Sequence, residues 1–211
     1  DKHLELSYVQ TNGNTNTTTF SSKLQGIAAL SDTESIKAKG SILYNENDNS
    51  TSANKYNLEL DYNHMINKKL YANMGINYLK DELSDYDYRL NIGPGLGYKF
   101  LEDEIQTIDI QGGLDYAYDK YNNGLKDNYL AGRTELNYKY KFSQSVEFKQ
   151  MLSYLVSFED GEKYFAVSDS AIGVKMTQNL SLGVSYNMDY TNKTEKEKLD
   201  TKFLTSLIID F

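Results

Sequence analysis

The chain has 211 residues, a formal net charge of −8 and a mean hydropathy of −0.62, a length that suits one domain spanning residues 1–211. Its acidity excludes nucleic acid as a partner, since phosphate binding needs a basic face. It has no cysteine, which removes disulfide frameworks and thiolate metal sites, and no apolar run approaches the ~18 residues of a membrane helix.

Hydropathy alone describes a water-soluble chain, but 19 tyrosines and a single proline suit strands, where aromatic rings pack well on a pleated surface. Asp1 opens the chain with no basic, apolar leader before it, so any signal peptide is expected to have been removed already or never to have been present. From there apolar and polar residues alternate with a period of two. In chain order, strands are expected near 2–11, 18–30, 34–45, 54–64, 69–79, 86–99, 105–119, 128–140, 145–157, 163–176, 179–190 and 199–211. Leu58, Leu60 and Tyr62 against Asn57, Glu59 and Asp61 show the pattern, as do Leu182, Val184, Tyr186 and Met188 against Ser181, Gly183, Ser185 and Asn187.

The connections are of two alternating kinds. Short ones sit at 31–33, 65–69, 101–104, 142–144 and 177–179; longer, charged or Asn-rich ones sit at 11–17, 45–54, 80–87, 120–128, 158–163 and 191–198. This layout describes an all-β, antiparallel up-and-down transmembrane β-barrel of about 12 strands, with short periplasmic turns and longer extracellular loops. An even strand count puts both termini on the periplasmic side.

In the first eleven strands the apolar face falls on even-numbered residues, and sixteen of the 19 tyrosines, Tyr86 among them, share it near strand ends. Such a band between aromatic girdles is expected to face lipid. The opposite face is charged and is expected to line the lumen. Its basic members include Lys23, Lys37, Lys39, Arg89, Arg133, Lys149 and Lys175; its acidic members include Glu59, Asp61, Asp109, Asp115, Glu135, Glu147 and Asp169. Adding Lys99, Lys139, Lys202, Glu5, Asp189 and Asp210 brings the face to ten of each sign. Turning the barrel inside out would press these charges into hydrocarbon at ~2–4 kcal/mol for each Lys or Arg near the midplane. A soluble barrel with the tyrosine face inside would instead bury some sixteen phenolic hydroxyls, each wanting a partner.

In the last strand the outward parity switches, with Phe203, Thr205, Leu207, Ile209 and Phe211 on one face. This strand should pair with residues 2–11 to close the sheet, because an open edge cannot exist in hydrocarbon. A terminal aromatic on an alternating last strand resembles the assembly signal of bacterial outer-membrane proteins, with Phe211 as its last residue and Ser206 where that signal often has glycine.

The opening "LELSYVQTNGNTNTTTFSSKL" (4–24) resembles the start of the salt-induced outer membrane protein family, the YdiY-like group. Its members open with a strand, a Gly-Asn-Thr turn and a Thr-rich second strand. The resemblance implies a barrel in the bacterial outer membrane and carries over no catalytic residue.

The residues offer little chemistry. The two histidines, His3 and His64, both fall at the periplasmic end, away from any outer-rim serine or aspartate, so hydrolase and acyltransferase designs lack their base. "NENDNS" (45–50) and "DELSDYD" (81–87) offer oxygen ligands but no EF-hand spacing, so neither metal nor cofactor is expected. The glycines of "NIGPGLGYKF" (91–100) lack the Lys-Ser/Thr of a phosphate loop. Pointing inward, they mark either barrel curvature or a smooth groove in the lumen wall, with Pro94 at a bulge.

Two readings of function follow. One is a narrow channel for small polar solutes or ions with a mixed-charge lumen. The other is a plugged barrel with Lys and Asp/Glu paired across the lumen, its acidic loops serving envelope structure or surface interaction. Expected partners are outer-membrane lipid and lipopolysaccharide, and the barrel-assembly machinery through the terminal strand, with a monomer favoured.

Overall fold

The computed structural model describes residues 2–11, 17–47 and 50–211. The expected loops around 12–16 and 48–49 lie outside them. Twelve strands follow in order: β1 (Lys2–Thr11), β2 (Thr17–Ala29), β3 (Glu34–Asn47), β4 (Ser50–Met65), β5 (Leu70–Asp81), β6 (Tyr86–Glu102), β7 (Gln106–Tyr121), β8 (Lys126–Lys141), β9 (Val146–Ser157), β10 (Tyr164–Lys175), β11 (Leu180–Thr191) and β12 (Leu199–Asp210). Each pairs antiparallel with its chain neighbours, and β1 pairs with β12, so the sheet closes into a barrel. Every expected strand is present. The largest difference is β4, which begins at Ser50, so most of the expected 45–54 connection is a continuing ladder with a register shift at Asn45/Glu46.

The facing follows the alternation. Leu58, Leu114 and Leu182 are half or more exposed on the outer surface, while their odd-numbered neighbours point inward. In β12 the parity switches as the sequence predicts: Phe203 is 66% exposed and Leu204 only 3%. The switch follows from the preceding long loop, which frees β12 to enter the sheet in either register.

Two expectations about β6 are corrected. Tyr86 does not belong to the outer girdle; it is 4% exposed and packs inside with Ala117, Tyr129, Ala131, Leu155 and Phe165. A bulge between Tyr86 and Tyr88 puts an extra residue into the strand and so reverses the parity before it. Pro94 is not at a bulge. It pairs in register with Met74 on β5, and the bulges of β6 fall at its two ends, Tyr86/Tyr88 and Lys99/Leu101.

Among the described residues the seam is the thinnest boundary of the ring. β1 and β12 register over four pairs, from His3↔Asp210 to Leu6↔Leu207, whereas β1 and β2 share ten and β7 and β8 fifteen. At its foot the Lys2 amide donates to the Phe211 carbonyl at 3.1 Å and the Phe211 amide returns a bond to Lys2 at 3.0 Å. Phe211 is thus part of the closure.

Candidate functional site

The inward faces enclose a cavity of about 2300 Å³. It is lined by His3, Glu104 and Asn179 at the short-turn end and by Leu83, Thr191 and Thr194 at the long-loop end. Of the fourteen residues assigned to the lumen, thirteen line it: Lys23, Lys37, Lys39, Glu59, Asp61, Arg89, Asp115, Arg133, Glu135, Glu147, Lys149, Asp169 and Lys175. The exception among them is Asp109, which accepts a 2.8 Å bond from the Tyr71 hydroxyl and is not on the cavity wall; of the six other charged residues expected on this face, Lys99 is also off the wall.

The charges are interleaved, and many are paired along the wall. Lys39 Nζ lies 2.9 Å from Glu59 on the neighbouring strand, Arg133 Nε 3.0 Å from Asp115, and Glu147 lies within 3.4 Å of both Lys139 and Lys149. Two lysines reach across. Lys23 on β2 meets Asp169 on β10 at 3.0 Å. Lys55 on β4 meets Asp81 at 3.2 Å, Asp189 on β11 at 2.7 Å and Asp200 on β12 at 3.1 Å. These are crossbars between walls four or five strands apart in the ring. Lys202 also pairs with Asp200.

One wall is thickened by inward side chains laid on glycine. A Cβ on Gly97 would stand 2.0 Å from the Tyr71 ring, and one on Gly95 2.5 Å from Asn73 Oδ1. A Cβ on Gly113 would stand 2.8 Å from Arg133 Nη2. The glycines therefore seat Tyr71, Asn73 and Arg133 flat against the sheet. They do not leave a bare groove.

Near the long-loop end the same wall carries a packed cluster. Lys163, 3% exposed, places Nζ 2.5 Å from Asp119, which has no exposure, 2.8 Å from Asp127 and 4.0 Å from the Tyr129 ring centroid. The Tyr129 hydroxyl donates to Asp119 at 2.9 Å, and the Arg89 guanidinium lies 3.9 Å from the Phe165 ring centroid. Lys55, Asp119 and Lys163 are unassigned in the sequence because each stands at or beside the end of an expected strand, where the alternation gives way to loop composition. Their odd numbers were the available signal.

At this mouth Lys193 pairs with Asp160, and the pair, helped by the Glu162 amide, holds the Asp160 carboxyl below the usual aspartate range. A lowered carboxyl contributes stability above its unfolded pKa and loses it as pH falls through the folded one. NMR titration of Asp160 in a lipid nanodisc should give a midpoint below about 3.9. A midpoint above that value would contradict the pairing.

The histidines lie where expected: His3 Nδ1 is 2.7 Å from Asp210, and His64 Nδ1 is 3.7 Å from Glu34, both at the short-turn end. Among the described residues no cluster of three or more His, Cys, Asp or Glu is placed to hold a metal ion.

A closed antiparallel barrel of twelve strands, apolar outside and charged along its inner wall, has the architecture of bacterial outer-membrane β-barrels. It resembles the NanC porin (TM-score 0.63, 9% identity, covering 99% of this chain and 98% of that one). It also resembles the COG4313 outer membrane channel of Pseudomonas putida F1 (TM-score 0.60, 11% identity, 100% and 94%) and the KdgM porin in complex with disordered oligogalacturonate (TM-score 0.53, 9% identity, 99% and 99%). At such identities the likeness is one of fold. The chain belongs to the family described as "Protein of unknown function, DUF481", whose model matches residues 4–211. No curated protein matches it.

Proposed function

We propose that this barrel is a narrow channel for small polar solutes or ions. The cavity carries the reading: a space of about 2300 Å³ with charged side chains along its wall reaches residues at both ends. Its lining is nearly balanced, with seven basic against six acidic among the assigned residues that reach it, and so is poorly suited to a polyanion such as the oligogalacturonate seen with KdgM. In this reading the short turns and both termini are periplasmic, the long loops meet lipopolysaccharide, and the protein works as a monomer surrounded by lipid.

The test is single-channel conductance of the refolded protein in a planar bilayer at two salt concentrations. Steady steps that scale with salt are expected; a folded barrel that stays silent overturns the channel. The second reading, a plugged barrel acting through its loops, is favoured by one observation. Lys23 and Lys55 cross the lumen to carboxylates on the far wall, and crossbars that never part would block passage.

The assembly machinery is the proposed partner of β12. Removing Phe211 deletes the residue whose backbone bonds Lys2 at the seam. It should reduce outer-membrane levels severalfold in a cell-fractionation assay, and unchanged levels would dismiss this role.

A further inference from the structure

Residues 192–198, which join β11 to β12, read NKTEKEK and contain no apolar side chain. In a closed ring of twelve strands they start six positions from β5 and β6, directly opposite. Yet their tip touches the 82–85 connection between those strands: Asp85 Oδ2 accepts from Thr194 Oγ1 at 2.5 Å and from the Glu195 amide at 2.9 Å. The segment therefore crosses the mouth. Thr194, Lys196, Glu197 and Lys198 line the cavity beneath it.

The fixings of this strap are few and wet. At its root Asn192 donates to the Glu162 carbonyl at 2.7 Å and to the Tyr164 carbonyl at 3.1 Å, and Lys193, 61% exposed, pairs with Asp160. At its tip the one carboxylate of Asp85 receives both bonds. Exposed ion pairs contribute little and are screened by salt, and no hydrophobic contact of the strap's own supplements them. Such a segment is held closed but not locked.

We propose that residues 192–198 gate the long-loop mouth, with Asp85 as the latch. The gate rests on the channel reading. Because the chain has no cysteine, Asp85→Cys with Thr194→Cys gives a clean reversible crosslink in the full barrel, its folding checked by heat-modifiable gel mobility. Under reductant the double variant should conduct, and oxidation should cut its step size at least threefold. Asp85→Ala alone should lengthen the open periods several-fold over the unaltered protein. Equal conductance of the oxidised and reduced forms, with the crosslink confirmed by mass, overturns the gate and leaves the channel standing. Silence in every form, Asp85→Ala included, overturns both.

Discussion

Replacing Lys163 with methionine should destabilise the barrel by about 3–5 kcal/mol, the usual cost of leaving a buried charge without its partner. Asp119 has no exposure and is held by two groups, the Lys163 ammonium at 2.5 Å and the Tyr129 hydroxyl at 2.9 Å. With the ammonium gone, one phenolic donor must serve a carboxylate that water cannot reach, and Tyr129 loses the cation over its ring. Methionine keeps most of the volume, so the loss reports on charge more than on packing. Adding Asp119→Asn removes the stranded charge and should restore a large part of the stability. The readout is denaturant unfolding in lipid vesicles followed by tyrosine fluorescence, since there is no tryptophan. A single variant within about 1 kcal/mol of the parent, the range of an exposed pair, would show that the cluster is hydrated in the membrane.

Gly93→Ala should also be severe, by about 3 kcal/mol or more, at or beyond the upper end of what overpacking costs. An added methyl would lie 2.0 Å from the Leu114 carbonyl oxygen and 2.7 Å from Asp115 Cα. Both are backbone atoms of β7 and cannot swing aside, so the two strands must part. Gly26→Ala and Gly173→Ala are the controls: both are in strands, and nothing lies within 4 Å of the added carbon. They should refold as the parent does. If all three variants refold alike, the close approach of β6 and β7 is not rigid.

The sequence made the barrel legible because its signal is redundant. Twelve alternating segments, a parity shared by eleven of them and a regular succession of short and long connections all specify one cylinder, so no single residue had to be read correctly. The exceptions are local. Tyr86 carries the same even number as the girdle tyrosines, and nothing in its composition announces the bulge that turns it inward. Inward facing of the charged residues followed from parity alone, but their pairing did not. Lys37, Lys39 and Lys23 look like a basic patch facing Glu59 and Asp61, whereas Lys39 pairs with its neighbour Glu59 and Lys23 reaches over to Asp169. Contacts across a lumen join residues 134 to 146 positions apart, and a local repeat carries no record of which strands lie opposite at which height. The strap was hidden for the same reason, since a charged loop reads as solvated whether it stands up or lies across an opening.

The four-pair seam between β1 and β12 gives the cylinder an order in time. A closed ring fails by parting at one boundary, and the parting costs least where the fewest backbone bonds must be exchanged, each worth about 1 kcal/mol net. The barrel therefore unrolls along this line into a sheet whose other eleven ladders are intact. Run backwards, the same event is the last act of folding.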